Sequence, residues 1–157
     1  VSTLVEGKVR CVKLPVPETM QAIAVIPEFH LSTVKARKAL PSTVPRADAV
    51  FNVGRVALFL AAMHAGRLDL LREAAQDRLH QPYRAALVPG MAEVLAEGER
   101  AGALACFLSG AGPTLLALTT GDGGEIGERM AACWKARANV TARALVLAID
   151  RDGLKVL

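Results

Sequence analysis

Apolar residues recur along this chain with two periods, one typical of amphipathic helices and one typical of buried strands. Residues 1–13 alternate weakly between polar and apolar positions around Gly7, which predicts an edge hairpin or a single strand. A β-branched run over residues 21–26 predicts a further strand. Two continuous apolar runs, at 103–108 and 114–119, predict a pair of buried strands joined by a glycine-rich turn.

Between and after these runs, the spacing of apolar residues is helical. Ser32 and Thr33 can cap a short helix that continues to Leu40 and stops at Pro41. Further helices are predicted over residues 48–64, 68–79, 87–95 and 126–134, and a last buried strand over 144–149. The order of strand, several helices, two consecutive strands, helix and strand predicts an α+β fold, a two-layer antiparallel sheet with helices on one face.

Composition and charge limit the class of protein. The chain has 157 residues, of which 52% are hydrophobic and 22% charged, so we expect one compact soluble domain and not a disordered tail. No apolar run approaches the ~18 residues that suggest a membrane-spanning helix. The net charge of +4 is spread over single arginines, which suits a phosphorylated small molecule as well as it suits nucleic acid.

Cysteine and histidine spacing favours a reducing compartment without a structural metal. The three cysteines, Cys11, Cys106 and Cys133, are an odd number without a C-x-x-C pair, so neither a disulfide framework nor a zinc site is expected. The three histidines lack the spacing of metal ligands. Residues 1–19 contain no basic stretch followed by an apolar stretch, so no signal peptide is expected and the predicted location is cytoplasmic.

The most specific local feature is the small-residue segment between the two predicted buried strands: Ser109, Gly110, Ala111, Gly112, Pro113 and Thr114. Small residues let main-chain N–H groups approach a ligand, and successive amides in such a turn can bind a phosphate or a carboxylate. A hairpin turn whose glycines only adopt unusual dihedral angles explains the same pattern. No lysine follows the second glycine, so this is not a Walker A loop.

With its flanks, residues 107–118, this segment closely resembles the third conserved motif of the GHMP small-molecule kinases, which include galactokinase, homoserine kinase, mevalonate kinase and phosphomevalonate kinase. The sequence S-T-V-K-A-R at 32–37, followed by Leu40 and Pro41, is similar to the S-T-x-x-A-R…L-P pattern of the homoserine kinase branch. Residues 48–52, 77–84 and 89–90 continue that similarity in the family's order, so the resemblance covers residues 20–120.

The resemblance implies a ferredoxin-like GHMP kinase carboxy-terminal domain over residues 20–157. Residues 1–19 would then be a remnant strand or hairpin that crosses from an amino-terminal ATP-binding domain. In the family, that domain carries a P-x-x-x-G-L-G-S-S-A phosphate loop and an acidic magnesium ligand, and nothing in this sequence matches either. The chain is therefore interpreted as the carboxy-terminal half of a homoserine kinase, inactive alone, with ATP and Mg²⁺ bound mainly by the missing half.

In the homoserine kinase branch, the γ-phosphoryl group of ATP is transferred to the side-chain hydroxyl of L-homoserine, which gives O-phospho-L-homoserine for threonine biosynthesis. By motif match, Arg37 and Arg84 are expected to bind the substrate carboxylate, since guanidinium groups pair with carboxylates bidentately. Thr33 lies one helical turn before Arg37 and is expected to face the same pocket. The resemblance implies that residues 109–114 lie near phosphate or substrate, and it assigns no catalytic residue and no metal ligand.

Several assignments stay open at the level of the sequence. The expected partners are L-homoserine and an amino-terminal GHMP domain, without nucleic acid or a membrane, and a homodimer is left open. The alternatives are another GHMP kinase of the mevalonate type and a non-catalytic ferredoxin-like domain that binds an amino acid. Asn52 either backs the pocket or is a satisfied polar group below the sheet, Asp77 can pair with an arginine, and Trp134 is expected in the core.

Overall fold

The computed structural model describes residues 2–152, which form strands and helices in the following order along the chain. The strands are β1 (Ser2–Val5), β2 (Lys8–Cys11), β3 (Gln21–Pro27), β4 (Ala105–Leu108), β5 (Leu115–Thr119) and β6 (Ala142–Ala148). The helices are α1 (Thr33–Lys38), α2 (Arg46–Ala65), α3 (Leu71–Ala74), α4 (Gln81–Arg84), α5 (Met91–Arg100) and α6 (Gly123–Ala138). Short 3₁₀ turns cover Leu68–Leu70 and Ala85–Leu87.

The last four strands form one antiparallel sheet in the order β4-β5-β3-β6. β3 is an interior strand: its Val25 lies opposite Leu115 of β5 on one side and opposite Ala144 of β6 on the other. This is the strand order of a ferredoxin-like fold, because the first and last sheet strands are neighbours and the two middle strands form a hairpin. The predicted α+β class and the predicted hairpin of consecutive strands are therefore confirmed.

β1 and β2 form a separate two-stranded hairpin at the amino end. The turn residues Glu6 and Gly7 have positive φ angles of 49° and 74°, as the tight turns of antiparallel hairpins require. Every residue of both strands is exposed. The hairpin predicted around Gly7 is thus present.

The main core lies between one face of the sheet and the helices α5 and α6. Fully buried residues on the sheet side include Ile23, Val25 and Leu115. Trp134 of α6 is fully buried, as predicted, and its indole N–H donates to the carbonyl of Pro89 at 2.7 Å, which satisfies the one polar atom of the ring. Burial in the same core raises the pKa of the Cys106 thiol to about 12, so this cysteine is a core residue and not a nucleophile.

The helices α2 and α3 pack near β4 on the opposite face of the sheet. Side chains alternate along a strand, so Ala105 faces this second cluster while Cys106 faces the main core. Ala62 and Met63 of α2 and Leu71 of α3 belong to the second cluster. α5 and α6 therefore cover one face of the sheet, whereas α2 and α3 pack against the edge strand β4 from the other face and form a wall of the cleft described below.

Three local predictions are wrong. The helix predicted over 68–79 is a 3₁₀ turn, the short α3 and an irregular loop, because the Asp77 carboxylate accepts main-chain N–H groups that would otherwise continue a helix. The predicted buried strand at 144–149 is the mostly exposed edge strand β6, which pairs with β3 alone within residues 2–152. Ser32 stands at the N-cap of α1, but its side chain makes no capping hydrogen bond.

By length and composition alone, helix α2 is long and apolar enough to cross a membrane. The sequence analysis did not identify it as such, because it found no apolar run of membrane-spanning length. Its apolar residues are interrupted by charged side chains, which is why the sequence pattern did not mark it. Val50 and Val53 on one side of α2 are 62% and 71% exposed, while Asn52 and Arg55 line the cleft. The helix therefore presents an apolar side to the surroundings and a partly polar side to the cleft.

Candidate functional site

A cleft of about 790 Å³ lies between α1, α2, α4 and the turn that joins β4 to β5. A volume of this size suits a small organic ligand. It is lined by five of the residues that the sequence assigns to a site, namely Thr33, Arg37, Arg84, Gly110 and Ala111. The other assigned residues, Ser109, Gly112, Pro113 and Thr114, build the turn but lie outside the lining of the cleft. Segments far apart in the sequence therefore meet at one place.

The turn between β4 and β5 has the geometry that its glycines predict. Gly110 and Gly112 adopt positive φ angles of 56° and 82°, which other residues rarely adopt. The N–H of Ser109 donates to the carbonyl of Thr114 and the N–H of Gly112 donates to the carbonyl of Ser109, both at 2.9 Å, so these bonds close the turn. Within residues 2–152, the N–H groups of Gly110 and Ala111 donate to no protein acceptor, so both are available to a ligand.

Arg84 joins two walls of the cleft. It lies on α4 and is only 7% exposed. Its Nη1 donates to the carbonyl of Gly110 at 2.6 Å and its Nε to the carbonyl of Ala36 at 3.4 Å, so one guanidinium ties the glycine turn to α1. These bonds use two of its five N–H groups and leave three for a ligand. α4 is itself fixed to β4, because the N–H of Leu108 donates to Oε1 of Gln81 at 2.8 Å.

Thr33 and Arg37 lie one turn apart on α1, and both line the cleft. Both residues are exposed, and the side chain of Arg37 makes no hydrogen bond or ion pair with the part of the chain that the structure describes. The preceding residue, Ala36, is fully buried and its carbonyl is held by Arg84. The backbone at Arg37 is therefore fixed, while its guanidinium keeps all five donors for a ligand.

The carboxylate of Asp77 is held at the cleft by four hydrogen bonds. Nδ2 of Asn52 donates to Asp77 Oδ1 at 2.6 Å, and the other three donors are the main-chain N–H groups of Leu79, His80 and Gln81. Burial opposes the ionisation of Asp77, but these hydrogen bonds outweigh burial and hold its pKa below the ordinary value. The arginine partner considered for Asp77 is not found among residues 2–152, and Asn52 proves to be both a satisfied polar group and a cleft residue.

Arg55 is a cleft residue that the sequence analysis missed. It lies on α2, three positions after Asn52 and four before Phe59, and all three line the cleft. Its Cζ lies 4.5 Å from the centroid of the Phe51 ring, which is a cation–π contact. The available signal was the polar Asn52-Arg55 pair at helical spacing, but the stronger apolar stripe on the neighbouring side of the helix obscured it.

The family comparison covers the part of the chain that supplies most of the residues lining the cleft. The family model described as "GHMP kinases C terminal" matches residues 59–136, which run from the last turns of α2 through α4, β4, the turn between β4 and β5, and β5 into α6. The chain belongs to the GHMP kinases. It represents the carboxy-terminal domain of that family, so the ferredoxin-like topology predicted from the resemblance is confirmed.

Relatives of this GHMP kinase domain carry the name homoserine kinase. The chain is 46% identical to the homoserine kinase of Aquifex aeolicus over 144 residues, which is 92% of this chain and 48% of that protein. It is 48% identical to the homoserine kinase of Persephonella marina over 137 residues, which is 87% of this chain and 45% of that protein. The crystal structure of homoserine kinase from Cytophaga hutchinsonii matches with a TM-score of 0.86 at 32% identity, covering 96% of this chain and 47% of that one. The chain spans about half the length of the curated relatives it matches.

The charge of the cleft in this GHMP kinase domain favours an anionic small molecule. Arg37, Arg55 and Arg84 bring three positive charges to it, whereas Asp77 is the one carboxylate among its described lining residues. Asp77 already accepts four hydrogen bonds, so it leaves the arginines unpaired. The arrangement can therefore bind and orient oxyanions with guanidinium forks and free main-chain N–H groups.

The described residues do not form a metal centre. No group of three or more His, Cys, Asp or Glu side chains within residues 2–152 is placed to hold a metal ion. His80 lines the cleft, but its nearest charged neighbour is Asp77, with Nδ1 3.6 Å from Oδ1.

Proposed function

We propose that this GHMP kinase domain is the acceptor-binding half of an enzyme that transfers the γ-phosphoryl group of ATP to the side-chain hydroxyl of L-homoserine. The product would be O-phospho-L-homoserine, an intermediate of threonine biosynthesis. The observation that carries the proposal is the convergence of Arg37, Arg84 and the glycine turn on one cleft. The similarity to proteins named homoserine kinase gives it independent support.

In this proposal the carboxylate of L-homoserine lies between Arg37 and the three unused N–H donors of Arg84. Guanidinium groups bind carboxylates in planar, bidentate pairs, so two of them fix the orientation of the amino acid. Thr33, one turn before Arg37, contributes a hydroxyl to the same cleft. Phosphoryl transfer depends mainly on positioning and charge stabilisation, so this half aligns the acceptor hydroxyl, and no catalytic base is assigned in it.

The proposal assigns ATP and Mg²⁺ mainly to an amino-terminal GHMP domain, because residues 2–152 offer no metal-binding cluster and the chain matches half of its relatives. When bound, Mg²⁺ neutralises charge on the transferring phosphates. Residues 1–19, which include the β1–β2 hairpin, would connect the two domains. The three free cysteines are in keeping with a cytoplasmic enzyme, and a homodimer remains an open part of the proposal.

The reaction of the full-length protein that carries this chain tests the proposal. With ATP, we expect phosphorylation of L-homoserine and not of mevalonate, with the ester formed at the side-chain hydroxyl, as phosphorus NMR of the product would detect. The isolated 157-residue chain is the matched control and is expected to show no homoserine-dependent consumption of ATP. Phosphorylation of mevalonate in place of L-homoserine, or robust turnover by the isolated chain, would contradict the proposal.

A further inference from the structure

We propose that Arg55 binds the phosphoryl group of the phosphorylated amino acid, as a third guanidinium of the cleft. Arg55 belongs to none of the sequence motifs, and it is not one of the two arginines, Arg37 and Arg84, that are proposed to bind the substrate carboxylate. The inference rests on the proposed function, because that function gives a product with two anionic groups, a carboxylate and a phosphate monoester. Arg55 would be the binding residue for the second group.

The guanidinium of Arg55 lacks a hydrogen-bond acceptor in the structure. Its Nε is completely buried and has no partner among residues 2–152. The contact with the Phe51 ring places the planar group but accepts none of its N–H donors. The two Nη groups of Arg55 donate to no acceptor within residues 2–152 either, and Arg55 lines the cleft. Polar groups in protein interiors are nearly always hydrogen-bonded, so these terminal N–H groups are the donors left for an acceptor that arrives with a ligand.

The neighbouring side chains explain why no protein group accepts a hydrogen bond from Arg55. Asp77, the carboxylate in the described lining of the cleft, is occupied by Asn52 and three main-chain N–H groups. Arg78 contacts the same Phe51 ring, with its Cζ 3.9 Å from the ring centroid. Unlike Arg55, it has an anionic partner, because its Nη1 lies 3.4 Å from Oδ1 of Asp48, and it does not line the cleft. Two arginines thus contact the Phe51 ring, and Arg55, the one that lines the cleft, has no acidic partner among residues 2–152.

The number of donors exceeds what one carboxylate needs. A carboxylate has two oxygens, which Arg37 and the free donors of Arg84 can occupy. Arg55, together with the free N–H groups of Gly110 and Ala111, then remains for a second oxyanion. A phosphoryl group has three acceptor oxygens and pairs bidentately with a guanidinium. The same group is the terminal phosphate of the nucleotide before transfer, so the recognised chemistry is the transferring phosphoryl group.

Equilibrium binding to the full-length protein tests this assignment. The ligands are L-homoserine, O-phospho-L-homoserine, ADP and a non-hydrolysable ATP analogue. Arg55→Met removes the guanidinium and keeps an apolar side chain beside Phe51. Arg78→Met is the matched control, because it removes the other cation on the same ring from outside the cleft. Arg55→Lys keeps the charge without the planar fork, and circular dichroism checks that every variant folds.

We expect Arg55→Met to weaken binding of O-phospho-L-homoserine roughly tenfold or more, with less than about a threefold change for L-homoserine. Arg55→Lys is expected to show the same selective loss at smaller size, and it decides the question where Arg55→Met does not fold. Arg78→Met is expected to change neither affinity. A selective loss on the ATP analogue but not on ADP would also support the inference and would place the recognised phosphoryl group on the nucleotide.

Two results would overturn the inference, and they differ from failure of the proposed function. Equal losses for L-homoserine and its phosphate ester would assign Arg55 to the carboxylate or to packing. Unchanged affinity for every ligand would show that Arg55 binds none of them. A wild-type protein that binds neither amino acid would refute the proposed function and this inference with it, whereas normal wild-type binding without a selective Arg55 effect would refute this inference alone.

Discussion

At the scale of single residues, the two arginines of the sequence motifs differ in how they are held. Arg84 is buried and donates to main-chain carbonyls of Gly110 and Ala36, so it organises the cleft as well as lining it. Arg37 is exposed, and its guanidinium has no partner in the described residues. The motif resemblance predicted both positions, but it could not distinguish these roles, because burial and main-chain partners depend on the tertiary fold.

Arg84→Met is expected to lower the free energy of unfolding by about 2 kcal/mol, since it leaves two main-chain carbonyls without their charged donor. Arg37→Met is the matched control and is expected to stay within about 0.5 kcal/mol of the wild type, because exposed side chains without partners contribute little to stability. Urea unfolding of the 157-residue chain, followed by circular dichroism, measures both. Equal stability of the two variants would show that Arg84 does not hold the cleft walls together.

The hydrogen-bonded carboxylate of Asp77 makes stability depend on pH. Its pKa in the folded chain lies below the ordinary value, so ionised Asp77 stabilises the fold at neutral pH, and this contribution is lost as the pH falls through the folded value. Asp77→Asn is expected to cost about 1–2 kcal/mol at neutral pH. Below about pH 4 the gap between variant and wild type should narrow, as urea unfolding at a series of pH values would measure. A gap that is constant with pH would contradict this role.

At the scale of secondary-structure elements, helix α2 shows what the sequence pattern could and could not predict. The spacing of apolar residues predicted its existence and its end at Gly66, which adopts the left-handed conformation expected of a C-cap. The same pattern pointed to Val50 and Val53, which are exposed, and passed over Arg55, which lines the cleft. Periodicity identifies a helix, but when a helix is apolar on several sides it does not say which side meets the sheet.

Packing of α6 on the sheet depends on a glycine. A Cβ at Gly127 would lie 2.7 Å from Cβ of Ala144 on β6 and 3.1 Å from Cγ2 of Ile23 on β3, and the Cβ of Ala144 cannot move without its backbone. Gly127→Ala is therefore expected to destabilise the chain by about 1–3 kcal/mol through overpacking. Gly54→Ala on α2, where nothing lies within 4 Å, is the matched control and should stabilise by about 0.5–1 kcal/mol. Thermal unfolding would measure both, and a neutral Gly127→Ala would contradict the close approach of helix and sheet.

At the scale of the whole molecule, the cleft is made by segments that are distant in the sequence. The family resemblance predicted that Arg37, Arg84 and the glycine turn belong to one site, and all three line the same cleft. The ferredoxin-like strand order explains the convergence, because β4 and β5 present their turn at the end of the sheet beside α1 and α4. The third arginine could not be predicted in this way, since its approach depends on how α2 packs at the edge of β4.

Steady-state kinetics of the full-length protein tests most directly whether Arg37 binds the carboxylate of the substrate. Wild type and Arg37→Ala are compared on L-homoserine and on an analogue whose carboxylate is replaced by a hydroxymethyl group. Arg37→Ala is expected to raise the KM for L-homoserine far more than the KM for ATP, with a loss of about 2–4 kcal/mol in transition-state binding, and to leave the already poor analogue unchanged. Equal effects on both KM values, or an equal loss on the analogue, would contradict the role of Arg37 as a carboxylate ligand.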